Sequence, residues 1–172
     1  ASYKDKNGTI WYGCSDGSVF YVNENKLINV PVSNTNSISE IINGPDDLIY
    51  IIPQGRAIFA INPVNPSAII KYSLTINPVL LSASFTNKGN LLLGTQENIL
   101  ICKFKNDSIS VEGTIEGFDN SNVTSIHQTV ESNRFVVGTA DYGLFQLIIS
   151  EEGNLLSRFR DHSDWESLSV QS

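Results

Sequence analysis

The 172-residue chain has no methionine, two cysteines, two histidines and no apolar run longer than the five residues Leu48-Ile49-Tyr50-Ile51-Ile52. Each shortage excludes something. Five residues fall far short of the roughly 20 that cross a bilayer as a helix, so this segment is expected to make no membrane contact. Cys14 and Cys102 are too few and too far apart for a disulfide framework or a zinc site, and both sit in strand-like runs as buried thiols acting as small hydrophobes. His127 lies between Ile126 and Gln128, and His162 lies in Arg160-Asp161-His162-Ser163-Asp164. No His-x-x-x-His, Cys-x-x-Cys or Gly-x-Ser-x-Gly pattern occurs, so no metal and no cofactor is expected. Positive charge is scarce as well: 11 Lys and Arg face 18 Asp and Glu, for a net charge of -7. That is the wrong sign for neutralising phosphates, which excludes nucleic acid as a partner. A chain that opens on Ala1 without any methionine is expected to be a piece of a larger polypeptide, with any signal peptide or anchor outside it.

What the chain does have is repetition. At 41% hydrophobic and 17% charged it is apolar enough to fold, and its best-matched segments recur at a spacing of about 43 residues. Leu81 to Thr95 aligns without a gap on Ser125 to Thr139, both ending in three apolar residues followed by Gly-Thr. Ala1 to Cys14 has the same shape, and a more degenerate copy runs from Ile38 to Ile52. Taking Cys14, Ile52, Thr95 and Thr139 as equivalent ends gives spacings of 38, 43 and 44. Each copy orders a first apolar run, a turn rich in Asp, Asn and Gly, a second run, a short polar connection, a third run and a more polar fourth run. The second and third runs are the most continuously apolar and are expected at the centre of a sheet. The fourth carries charges that discourage edge pairing: Lys26, Lys71, Glu112, Arg158 and Arg160.

Four short strands per repeat, joined by turn residues, read as antiparallel meanders, and a repeat of this length with four strands is the signature of a β-propeller blade. The expected fold is all-β, with blades at about 1–31, 37–75, 78–116 and 122–161 and with 162–172 starting the next blade or closing the ring. Both ends fall in a first-strand position. Either they meet each other in a four-bladed ring, or these are four blades of a larger, seven-bladed one, which is the favoured reading.

The segment Asp5 to Val22 resembles the two-component regulator propeller repeat, through Asp5, Gly8, Ile10-Trp11, Gly13 and Gly17 in order. Later copies keep Gly94-Thr95 and Gly138-Thr139, with Leu92 and Val136 in place of Trp, and Asn87 and Glu131 read as replacing the Asp. The resemblance implies a periplasmic sensor region of a Bacteroidetes-type hybrid histidine kinase, non-catalytic itself and responsive to a carbohydrate. It also implies an oligosaccharide ligand, further blades or domains of the same polypeptide, and a homodimer among the partners.

Propellers commonly bind at one end of the axis, through loops between the second and third strands and between successive blades. Those loops hold Asp16, Arg56, Asp141, Tyr142, Asp164 and Trp165. An aromatic ring beside a carboxylate suits a sugar, since the ring face stacks on C–H groups while the acid takes hydroxyls; Tyr142 with Asp141 and Trp165 with Asp164 are the two such pairs. The structural alternative is that turn Asp residues serve backbone geometry. Two alternatives to a sensor stay open: a protein-interaction scaffold, disfavoured because Gly-His and Trp-Asp signatures are lacking, and a polysaccharide-acting enzyme using Asp16 and Asp141 as paired acids.

Overall fold

A computed structural model describes residues 1–32, 35–118, 120–131, 133–150 and 153–160. Among these the chain forms sixteen strands and no helix. The first unit holds β1 (Ser2–Lys4), β2 (Ile10–Gly13), β3 (Val19–Asn23) and β4 (Lys26–Val30), and the second β5 (Ile38–Asn43), β6 (Ile49–Pro53), β7 (Ala57–Asn62) and β8 (Asn65–Leu74). The third holds β9 (Ser82–Phe85), β10 (Leu91–Gly94), β11 (Ile99–Lys105) and β12 (Ser108–Ile115). The last holds β13 (Val123–Gln128), β14 (Arg134–Thr139), β15 (Gly143–Ile149) and β16 (Leu155–Arg160). Within every unit neighbouring strands pair antiparallel in chain order.

The hairpins close by the same local chemistry. In the β1–β2 turn the Asp5 N–H donates to the Thr9 carbonyl, while the Asp5 carboxylate accepts the N–H groups of Asn7 and Thr9 and the indole N–H of Trp11. The matching backbone bonds run from Gly44 to Leu48 and from Thr86 to Asn90. The third turn residue is left-handed in each, at Gly8, Asp47 and Gly89, residue types that tolerate positive φ. In the third unit Thr86, not Asn87, therefore stands where Asp5 stands, and its hydroxyl accepts the Asn90 N–H. The second unit keeps the aromatic-to-acid bond in altered form, with the Tyr50 hydroxyl donating to Asp46 at 2.9 Å.

Strand register corrects one alignment. Glu40 pairs with Ile52 and Ile41 with Ile51, as Ala1 lies against Gly13 and Ser2 pairs with Tyr12. Pro53, not Ile52, is thus equivalent to Cys14, Thr95 and Thr139, and the spacings become 39, 42 and 44 residues.

Three apolar clusters fill the seams between successive units. Trp11, Val19 and Val30 pack on Ile41, Ile49 and Phe59 between the first and second. Ile52, Ile58 and Leu74 pack on Leu80, Leu91 and Cys102 between the second and third. Leu92, Ile99 and Ile115 pack on Val123, Phe135 and Leu147 between the third and fourth. One four-stranded sheet leaves both faces wet, so face-to-face packing of successive sheets supplies the core, and the arrangement is propeller-like. At two seams glycine lets the next unit close in: a Cβ on Gly13 would lie 2.6 Å from Ile38 Cβ, and one on Gly94 would lie 2.9 Å from the Val123 carbonyl oxygen. At the seam between the second and third units the corresponding residue is Ile52, which is fully buried against Leu80.

The outermost strands depart from expectation in one respect. β8 and β12 pair in parallel over Ser73–Leu74 and Ser108–Ile109, joining the second and third units into one eight-stranded sheet. The pairing falls away from Lys71 and Glu112, so those charges guard only the rest of each edge. Cys102 is buried as expected and its thiol is pushed up to about 12, mainly by desolvation, which makes it inert. Cys14 is only half-buried.

Candidate functional site

The first strand of each unit lies innermost, and β1, β5, β9 and β13 together line a groove of about 810 Å³. The groove runs along these strands towards the β1–β2 type turns, reaching Gly44 and Pro45 in the second unit and Thr86 and Asn87 in the third. Its wall mixes polar side chains, Tyr3, Ser84, Ser125, His127 and Gln128 among them, with apolar ones such as Ile42, Leu81 and Phe85. Gln128 Nε2 donates to Asn87 Oδ1 at 2.9 Å, which bridges the third and fourth units across the groove wall.

Among the described residues Glu40 is the one acidic side chain on this surface. β5 carries a bulge between Ile38 and Glu40, with Ser39 as the extra residue, and the Ser39 hydroxyl donates to the Leu80 carbonyl at 2.6 Å. Beyond the bulge the Glu40 carboxylate reaches the third unit and accepts the Ala83 backbone N–H. Half-buried, it is pushed up to about 7 by desolvation, against a smaller lowering by the Ala83 hydrogen bond. A carboxyl with a displaced pKa inside a concave polar surface is a physical signature of a binding or catalytic site. Sequence reasoning missed it because it looked to loops. The available signal was an ionisable residue interrupting the apolar run Ile38–Ile42.

The loop residues expected to bind lie at the other end of the strands. Arg56 lines a cleft of about 590 Å³ together with Asn36, Gln54, Lys71 and Asn77. Asp16 is fully solvent-exposed and accepts the Ser18 N–H at 2.9 Å, a bond that lowers its carboxyl below the ordinary range. This is the geometry of an Asx turn. Asp141 accepts the hydroxyl proton of the buried Ser121 at 3.0 Å, tying its loop to the connection entering the fourth unit. The guanidinium of Arg160 lies 5.1 Å from the centre of the Tyr142 ring, so one face of that ring is already stacked. Asp164 and Trp165 lie outside the described residues. The structure thus brings Asp141 and Tyr142 together on one loop, with Asp16 and Arg56 each on a loop of another unit. Among the described residues, no three His, Cys, Asp or Glu side chains converge as a metal site would require.

No protein-family model matches the sequence, and no curated protein matches it. Solved structures do share its fold. Virginiamycin B lyase from Staphylococcus aureus superposes with a TM-score of 0.73 at 12% identity, covering 95% of this chain and 55% of the lyase. The extracellular domain of a protein named a hybrid two component system from B. thetaiotaomicron superposes at 0.67 and 16% identity, covering 87% of this chain and 21% of that one. Sqt1 from Chaetomium thermophilum gives 0.64 at 16% identity, over 88% of this chain and 43% of its own. The chain therefore spans about half the length of the lyase and about a fifth of that extracellular domain, and at these identities the likeness is one of fold.

Proposed function

We propose that the chain is a ligand-sensing propeller module in the periplasmic part of a two-component sensor histidine kinase, responding to a carbohydrate and not itself catalytic. Its units are blades, at about 1–31, 37–75, 78–116 and 122–161, with 162–172 starting the next, in a ring of seven. The observation that carries the reading is the polar groove along four successive innermost strands, in a fold also found in the extracellular domain of a protein named a two component system. A second observation supports the larger ring. Ile10, Tyr12 and Leu27 on the first unit, and Leu144 and Phe159 on the fourth, are exposed on the faces turned away from their neighbours, as blade surfaces awaiting another blade would be. Partners are then further blades and domains of the same polypeptide, an oligosaccharide, and a second copy in signalling. Sensing requires that the ligand prefer one arrangement of domains over another, and the groove is where such a preference would arise.

The test uses the complete open reading frame. A transmembrane helix and a kinase downstream, together with a rise in melting temperature of the full ectodomain in a panel of neutral, basic and acidic oligosaccharides, are the expected results. An open reading frame without a kinase overturns the sensor reading, and a flat panel overturns the carbohydrate. Glu40 and His127 line the same groove in a fold shared with a lyase, one form of which was solved as a catalytically inactive variant with quinupristin. Turnover of virginiamycin B or a polysaccharide by the purified chain would replace sensing with catalysis.

A further inference from the structure

Glu40 breaks a pattern on the innermost strands. Register places it level with Ser82 of β9 and Ser125 of β13, which face the second-strand glycines Gly94 and Gly138. Ser82 spends its hydroxyl on the Val123 carbonyl of the next unit, at 2.9 Å. Glu40 also reaches the next unit, but with an ionisable group, and the Ala83 N–H occupies only one of its oxygens. A carboxylate can accept about four hydrogen bonds, so one backbone N–H leaves most of its capacity for a ligand. Among the described residues no Lys or Arg lines the groove, and the other titratable groups along it are the Ala1 amino terminus, Tyr3 and His127. The surface therefore offers one acid without a side-chain cation, among the hydroxyls of Ser84 and Ser125 and the amide of Gln128.

We infer that the groove recognises an amino sugar, with Glu40 taking the protonated amine and the neighbouring serine and amide groups taking ring hydroxyls. This rests on the carbohydrate reading above and names the substrate class for it. An ammonium brings a positive charge and donors to the Glu40 oxygen lone pairs that the Ala83 N–H leaves open, and a charge-assisted hydrogen bond inside a groove is stronger than a neutral one. An N-acetylated sugar has the same ring without the charge, and an acidic sugar is repelled. Half-burial of Glu40 holds its carboxyl near 7, so binding a cation also draws a proton off it.

Titration calorimetry with the full-length ectodomain separates the cases. The probes are a glucosamine tetramer, the N-acetylglucosamine tetramer and a galacturonate tetramer. The glucosamine tetramer is expected to bind at least about ten-fold more tightly than the N-acetylated one, and E40Q to remove that preference while keeping an acceptor for Ala83 N–H. Between pH 5 and 6, where the sugar amines stay largely protonated, wild-type affinity is expected to rise several-fold as the ionised fraction of Glu40 grows. That profile is read without any variant, so a failure of E40Q to fold leaves the test intact. Equal binding of the two tetramers with no pH dependence overturns the amino-sugar inference and leaves the carbohydrate sensor standing, as does tight galacturonate binding unaffected by E40Q. Binding of none of the three, with a neutral glycan from the wider panel still raising the melting temperature, overturns this inference alone. A wholly flat panel overturns both.

Discussion

The two middle units and the two end units are built from equally apolar strands, yet they are buried very differently. Every residue of Ile49–Pro53 and Leu91–Gly94 is buried, whereas in Ile10–Gly13 only Trp11 is, and in the fourth unit Leu144 and Phe159 stay exposed. Among the described residues a middle unit has a neighbour on each face and an end unit has one on a single face. Burial in this architecture is therefore a property of the neighbour rather than of the strand. The seams differ as well: glycine brings backbones together at Gly13 and Gly94, while a side chain fills the space at Ile52.

The largest effect is expected where that side chain is removed. Ile52 is fully buried at the central seam, so Ile52→Ala should cost about 2–5 kcal/mol by lost transfer energy and a residual cavity, read as a shift in urea midpoint. A cost below about 1 kcal/mol would mean that the second and third units do not depend on this packing. The glycine seams break in the opposite sense. Gly94→Ala drives a methyl into Ser82 and the Val123 backbone and should cost about 1–3 kcal/mol, whereas Gly113→Ala, whose new Cβ would meet Ile101 Cδ1 at 3.7 Å, should be neutral or slightly stabilising.

A smaller effect is expected from Glu40 at the same central seam, and it carries a pH signature. The folded carboxyl titrates near 7 against an ordinary 4.5, so between these values the native state holds the proton more tightly than the unfolded chain does. Stability contributed at this position therefore falls as pH rises from about 4.5 to 7 and is level above that. Given half-burial and solvent screening, the wild-type minus Glu40→Gln difference should change by about 1–2 kcal/mol across that window. A difference curve that is flat with pH would place Glu40 in open solvent.

Much of this organisation was legible in the chain. The bounds of Lys26–Val30 and Ser108–Ile115, read as more polar fourth runs, and of Arg134–Thr139, read as an apolar second run, coincide with strands because turn residues bracket them. The alignment slipped by one in the second unit because its seam uses Ile52, and without a glycine nothing in the composition marks the position. Similarly, Thr86 replaces Asp5 with a hydroxyl that does part of the same capping, so the acid seemed to have moved to Asn87. Glu40 stayed hidden for a different reason. Its importance comes from Ala83, 43 residues later, and a contact of that kind depends on how units stack, which a repeat pattern specifies only in outline.

The smallest expected effect is the one that bears most on the bare end faces. Tyr12 is 38% exposed and Leu144 is 41% exposed, on the outward faces of the first and fourth units. In the isolated chain, Tyr12→Ser and Leu144→Ser should each cost no more than about 1 kcal/mol, since each side chain is already partly in water and loses only contacts within its own sheet. If these faces receive further blades in the complete polypeptide, the same substitutions there become removals of buried apolar groups and should each cost about 2 kcal/mol or more. The ratio of the two measurements, not either alone, decides the matter. Equal small costs in both contexts would mean that the end faces are surface in the whole protein, and that the contrast between middle and end units belongs to the finished molecule.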